Sequence, residues 1–261
     1  MSRVLLTADT KFFVNPLGSN SNPGTSDSPW KTLQFACDVV RGGIDCGGFT
    51  AEIYIADGAY DPISVFGATV GASGFQIYGN AANPENVVIL SATDAPCVMA
   101  RDFGIVTLHD LSTLRYTNGV GFSAQQFAVI DLDNIVHGNV GGLGKHMAAS
   151  EGGRINLTGP QTITGDAYYH GEADGAGSSI SLGGQPTYIP ASRNFASAFF
   201  SATRQGQILG NGAEAYTGPG AGPGSTGYTA QAGSFGQIFL AGVTPPGQSG
   251  RRLADADGRI Y

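Results

Sequence analysis

Six short apolar strand cores recur at near-constant spacing: Val106-Thr107-Leu108, Ile130-Asp131-Leu132, Ile155-Asn156-Leu157, Ile180-Ser181-Leu182, Gln207-Ile208-Leu209 and Ile238-Phe239-Leu240. The leading Val or Ile advances by 24, 25, 25, 28 and 30 residues, and Gly or Ala precedes each core (Gly104, Ala128, Gly153, Gly177, Gly206, Gly236). A period in the twenties with one strand core per unit and no helical spacing between units suits a chain wound as a parallel β-helix, each turn stacked on the last. Inward positions are then Ile53, Ile55, Ile77, Val106, Leu108, Ile130, Leu132, Ile155, Leu157, Ile180, Leu182, Ile208, Ile238 and Leu240.

Before the six repeats, Glu52-Ile53-Tyr54-Ile55, Phe75-Gln76-Ile77-Tyr78 and Val87-Val88-Ile89-Leu90 alternate with period two and read as the first coils. The segment 15–27 (NPLGSNSNPGTSD) is turn-rich, and Ser28-Pro29 then gives a helix entry signal, with Ser28 as cap and Pro29 as first helical residue. Trp30, Leu33, Cys37 and Val40 fall on one helical face with Ala36 beside them, and Gly42-Gly43 closes the run. This apolar face is expected to cover the exposed end of the solenoid core. Residues 217–228 (TGPGAGPGSTGY) read as an insertion from one coil, and residues 242–261 as a terminal arm. The division predicted is 1–50 for the N-terminal arm and capping helix, 51–241 for the solenoid and 242–261 for the C-terminal arm.

Forty-one glycines and a charged fraction of 13% fit a turn-rich all-β chain with a sizeable core. The net charge of −7, three lysines and no basic run longer than Arg251-Arg252 argue against nucleic acid as a partner. Val4-Leu5-Leu6 is too short an apolar run for an export signal or membrane span, so synthesis in the cytoplasm without membrane insertion is expected. Cys37, Cys46 and Cys97 have no metal-ligand spacing and read as reduced, buried thiols. No cofactor fingerprint is present, so no cofactor is assigned.

Gly18-Ser19-Asn20 through Gly24-Thr25, followed by Ser28-Pro29-Trp30-Lys31-Thr32-Leu33-Gln34 and Ala36, resembles the opening of pectate-lyase-like right-handed β-helices, in the version seen in bacteriophage tail spikes and other virion appendages. The resemblance covers about the first forty residues; the later coils match only in rhythm. It implies a right-handed, single-stranded parallel β-helix with a short N-terminal capping helix, facing carbohydrate. It also implies a homotrimer on a virion or phage-like particle surface, in company with other virion proteins and able to bind a cell-surface polysaccharide.

Aligning the repeats places Thr107, Asp131, Asn156 and Ser181 in one outward row and His109, Asp133 and Thr158 in a second. With coils about 4.8 Å apart and alternate residues about 6.7 Å apart, Asp131, Asp133 and His109 meet on one patch. Such carboxylates could act as acid and base in glycoside hydrolysis, or solvate a polar ladder that binds sugar. Asn156 extends the row, while Tyr168 and Tyr169 offer stacking surfaces and Arg101 and Arg115 the nearest cations. His170, Glu172 and Asp174 alternate in YYHGEADGAG and could point one way, but a solvated loop is the preferred reading and no metal is assigned. Two functions remain: a non-enzymatic appendage that is structural or binds polysaccharide, and a hydrolase or lyase on the same scaffold. The low count of titratable groups favours the first.

Overall fold

The computed structural model describes residues 3–115, 118–222, 224–242, 244–247, 252–255 and 257–261. The chain winds into a parallel β-solenoid of about eight turns, with one α-helix among the described residues. One sheet has fifteen strands; its main path runs through Thr10–Val14, Ala51–Ile55, Phe75–Tyr78, Ile105–Arg115, Val129–His137, Arg154–Leu157, Ser179–Ser181, Gln207–Leu209, Gln237–Phe239 and Arg259–Ile260, while Gly58–Tyr60, Val87–Ser91, Gln161–Ile163, Thr187–Tyr188 and Tyr216–Thr217 lie off that path, joined to it through the far halves of Ile105–Arg115 and Val129–His137. The other is an eight-stranded sheet from Ile63–Phe66 to Arg252–Ala254. Register is in step across coils: Val106 lies beside Phe75 and Ile130, Ile130 beside Ile155, Ile155 beside Ile180, and Ile180 beside Ile208. All fourteen inward positions expected from the repeat are buried and belong to one continuous core.

Several coils pass from the eight-stranded to the fifteen-stranded sheet through a tight turn closed by a backbone bond, as Gly104 N to Arg101 O (3.0 Å), Ala128 N to Gln125 O (3.0 Å) and Gly236 N to Gly233 O (2.8 Å). Both central residues of these turns are left-handed, as at Asp102-Phe103 and Gln126-Phe127. That is the conformation glycine adopts at least cost.

The helix spans Leu33–Gly43, with Thr32 at its N-terminal boundary, which corrects the expected start at Pro29. Residues 28–30 are extended instead, because Trp30 pairs with the first strand: its N–H donates to Phe13 O (2.9 Å), and Asn15 N–H donates to Trp30 O (2.9 Å). The indole stacks on Phe12 and donates to Asn22 O (2.8 Å). Asn20 Oδ1 accepts from the N–H groups of Lys31 and Thr32 (3.0 Å each), fixing the entry to the helix from a loop twelve residues away. The buried face is Leu33, Ala36, Cys37 and Val40, packed into the end of the core. Gln34 lies against the edge strand Ile63–Phe66: its Oε1 accepts from Ser64 N–H (2.7 Å) and its Nε2 donates to Ser64 O (3.1 Å). A side-chain amide thus takes the place of a neighbouring strand.

Residues 242–261, set apart as an arm by their composition, add to the solenoid where they are described. Arg252–Ala254 pairs with Thr226–Ala232, and Arg259–Ile260 with Gln237–Phe239. Tyr261 stacks on Phe239 with ring centroids 4.7 Å apart. Arg251 lies outside the described residues.

Three histidines share the interior. His137, His146 and His170 are fully buried, with ring centroids 5.0 to 5.4 Å apart, among Phe122, Phe199 and Phe200. Their protons follow from the neighbours. His146 Nε2–H donates to Gly138 O (3.0 Å), so its Nδ1 accepts from His170 Nδ1–H (3.0 Å). Gln161 Nε2 donates to Leu132 O and Gly159 O, so Gln161 Oε1 accepts from His137 Nε2–H (2.9 Å), leaving His137 Nδ1 buried and unpartnered. Among the described residues no group of three His, Cys, Asp or Glu is arranged to hold a metal ion. Burial holds His137 down to about 4 and also pushes His146 and His170 well below the ordinary value, with His137 acting in the same direction on both.

Two tests follow from this core. Leu132→Ala should lower unfolding free energy by about 2–5 kcal/mol in urea titration. The histidines stay neutral in the fold and gain protons on unfolding, so the stability that depends on them is complete above about pH 6.5 and falls below it. Each should contribute a loss of about 1.4 kcal/mol per pH unit below that point. Urea midpoints that do not change between pH 7 and pH 5 would contradict this account of the cluster.

Candidate functional site

The outer face of the fifteen-stranded sheet carries two rows of side chains. Alternation sends Ile53, Ile77, Leu108 and Leu132 inward, so their neighbours at the next position point out. Register pairs Phe13 with Tyr54, Tyr54 with Tyr78, Tyr78 with His109, and His109 with Asp133. The rings stack: Phe13 on Tyr54 at 5.8 Å, Tyr54 on Tyr78 at 5.0 Å, and Tyr78 on His109 at 4.3 Å with ring planes 6° apart. His109 Nδ1 bonds Asp133 Oδ2 at 3.0 Å and ends the ladder.

Beside it runs the row Lys11, Glu52, Gln76, Thr107, Asp131, Asn156 and Ser181, again one residue per coil. Polar contacts tie the rows together. Tyr54 Oη donates to Glu52 Oε2 (3.1 Å) and Tyr78 Oη donates to Gln76 Oε1. Lys11 Nζ lies 4.8 Å from the Tyr54 ring centre and 4.0 Å from Glu52 Oε2. Asn156 Nδ2 donates to Asp131 Oδ1 at 2.7 Å. Burial, then Glu52, Tyr54, Asp110 and Asp133, raise the Tyr78 hydroxyl above its ordinary value and keep it a donor. A cavity of about 370 Å³ adjoins the polar row and is lined in part by Gln76, Thr107 and Asp131.

Below the ladder both long strands bend at Asp110 and Asn134, which are left-handed (φ 60° and 52°). Asn134 Nδ2 donates to Asp110 Oδ1 (2.7 Å). Asp and Asn tolerate this conformation better than most residues. The bend sets the edge of the face.

The expected site residues divide among three places. Asp131, Asp133, His109 and Asn156 come together on this face. Tyr168 and Tyr169 lie on the eight-stranded sheet, packed edge to face at 4.7 Å, with Tyr169 buried. Arg101 is on that sheet as well, its guanidinium 4.1 Å from the Phe66 ring centre and its Nε 3.5 Å from Asp102. Arg115 is inside the molecule, where its guanidinium donates to the carbonyls of Thr93, Ala95 and Asn118. As a surface cation for sugar, Arg115 is corrected. So is the solvated loop preferred for His170, Glu172 and Asp174: all three lie in the strand Ala167–Asp174, where the last two are partly exposed and His170 turns into the core.

Lys11, Phe13, Glu52, Tyr54, Gln76 and Tyr78 escaped the sequence reading. The signal is present in EIYI and FQIY, whose outward residues continue both rows, but these two segments lie outside the regular repeat from which the rows are drawn. His109 Nε2 is buried and unpartnered, so the imidazole has its Asp133 partner but no open path to a substrate hydroxyl. The three cysteines are free and buried, and burial pushes the Cys97 thiol up to about 11.

No family model matches the chain, and neither a curated protein nor a solved structure matches it. No helix among the described residues is long and apolar enough to cross a membrane.

The buried position of Arg115 yields a direct test. Arg115→Leu should cost about 3 kcal/mol or more in unfolding free energy, because the carbonyls it serves would lose their donor inside the protein. Binding of any saccharide by the folded variant should be unchanged.

Proposed function

We propose that this protein is a virion-appendage or tail-spike-like β-helix that binds a cell-surface polysaccharide along the outer face of its fifteen-stranded sheet. The observation that carries the reading is the ladder Phe13, Tyr54, Tyr78 and His109 beside a parallel row of acids, amides and hydroxyls. The stacked rings cover one another's faces and leave edges and hydroxyls outward, and with the polar row these suit the hydroxyls of a sugar chain. Both repeat with the coil, at about 4.8 Å, so an extended chain meets like groups along its length.

Assembly as a homotrimer, and contact with other virion proteins, belong to the same proposal and rest on the tail-spike resemblance. The described part of the C-terminal segment is engaged with its own chain, so contacts between chains would use other surfaces as well. The alternative is a polysaccharide hydrolase or lyase, for which the specific observation is the His109–Asp133 pair with Asp131 two residues away. Binding is favoured because Asp131 is bonded to Asn156 and the free nitrogen of His109 is enclosed.

A panel of capsular and O-antigen polysaccharides separates these readings. A binding protein should retain a polysaccharide without releasing reducing or unsaturated ends, and Tyr78→Ala should weaken retention about five-fold or more. Asp131→Asn and Asp133→Asn should alter affinity modestly. Release of ends that either Asp variant abolishes, with affinity kept, would establish the enzyme instead. Tyr78→Ala, Asp131→Asn and Asp133→Asn all binding as the parent does would reduce this face to a solvated ladder. Sedimentation equilibrium should give three times the chain mass; a monomer at micromolar concentration would remove the trimer.

A further inference from the structure

Two loops wall off the cavity of about 370 Å³ beside the polar row. Residues 48–50 and 71–74 form its walls, and the outward side chains of Gln76, Thr107 and Asp131 its floor. The loops are tied together and to the sheet: Gly48 N–H donates to Gly71 O (2.7 Å), Cys46 N–H to Val70 O (2.8 Å), and Thr50 N–H to Asp9 Oδ1 (2.8 Å). Gly71 is left-handed at φ 75°, and a Cβ there would collide with Gly47 N, so the loops meet where glycine alone fits. The walls are thus set by the fold itself. The volume lies within the range of small-molecule sites, about 300–1,000 Å³.

The carboxylates of this face differ in their partners. Glu52 has Lys11 at 4.0 Å, and Asp133 has His109 at 3.0 Å. Asp131 has the neutral amide of Asn156 on its Oδ1 (2.7 Å), and among the described residues nothing bonds its Oδ2. It is partly buried in the cavity floor, and no lysine or arginine among the described residues lines that cavity. Arg154, exposed beside Val129 on the next coil, forms no ion pair with it among the described residues. The surrounding field has the same sign: Glu52, Asp110 and Asp133 all act to raise the Tyr78 hydroxyl, and Asp9 and Asp45 hold the loops from behind. One lining carboxylate is too few for calcium, which takes about six or more oxygen ligands. A partly desolvated carboxylate with a neutral partner gains most from a ligand that brings positive charge and N–H donors together.

We infer that this cavity takes an amino sugar, a hexose unit with a free ammonium group that bonds Asp131 Oδ2 while its hydroxyls meet Gln76 and Thr107. The inference rests on the saccharide reading of the face and adds the class of polymer. That class carries unacetylated amines; a uronic acid polymer brings carboxylates that the same field repels.

Isothermal titration with glucosamine oligomers of four to six units, with N-acetylated oligomers of the same length and with oligogalacturonate, tests the inference. The glucosamine series should bind tightest, with an affinity that falls as salt rises. Asp131→Asn preserves an oxygen for the Asn156 amide, and should weaken the glucosamine series about three- to five-fold while leaving the N-acetylated series unchanged. Glu151→Gln removes an exposed carboxylate at a turn of the other sheet and should change none of the three. A glucosamine preference that persists in Asp131→Asn would overturn the inference by placing the amine elsewhere. An equal fall in Glu151→Gln would overturn it by reducing the effect to net charge. Equal or tighter binding of the N-acetylated or galacturonate series would overturn it too, and loss of that binding in Tyr78→Ala would then uphold the saccharide face without an amine subsite. Absence of binding by all three series would also overturn it, and the saccharide reading of the face would then stand or fall on the capsular and O-antigen panel.

Discussion

Backbone hydrogen bonding from each coil to the next governs this molecule. Because every strand is parallel and in step with its neighbour, a side chain at one position stands beside its counterpart in the next coil, and a choice made once is multiplied along the axis. Ile130 is buried because Val106 and Ile155 flank it. Asp133 meets His109 for the same reason. The core, the ring ladder and the line of left-handed turns are three expressions of that one register.

A stack held together in this way has unsatisfied ends, and the N-terminal end is closed by unlike devices. Residues 24–30 give the first strand of the larger sheet its partners, with Trp30 bonded to Phe13 and Asn15. The helix covers the core with Leu33, Ala36, Cys37 and Val40, while Gln34 serves the edge of the smaller sheet. Helix entry depends on Asn20 rather than on a local cap, so loop and helix are held as one unit.

The sequence made the solenoid legible through alternation: every inward residue expected from the repeat is buried, and Asp131, Asp133, His109 and Asn156 meet as their register required. Legibility failed where a local signal competed with pairing at a distance. Ser28-Pro29 has the chemistry of a helix start, but Trp30 gains more by stacking on Phe12 and extending beside the first strand. In the smaller sheet, pairing runs from Val120 with Lys145 to Phe122 with Met147, and from Lys145 with Tyr169 to Met147 with Gly171, omitting the residues between. His146 and His170 fall at the omitted positions and turn inward, which simple alternation does not foresee. Arg115 was misplaced because nothing local in the sequence reveals that Thr93, Ala95 and Asn118 bring their carbonyls around it.

The amide of Gln34 has a consequence for how the rod meets its surroundings. With Ser64 already engaged, the N-terminal end offers no free pair of backbone groups there to an incoming chain. Arg252–Ala254 and Arg259–Ile260 are instead the last strands of their sheets, each bonded on one side. Among the described residues the two ends of the sheets therefore differ: at Ser64 a side chain takes up the backbone pair of the edge strand, whereas Arg252–Ala254 and Arg259–Ile260 are edged by no such side chain.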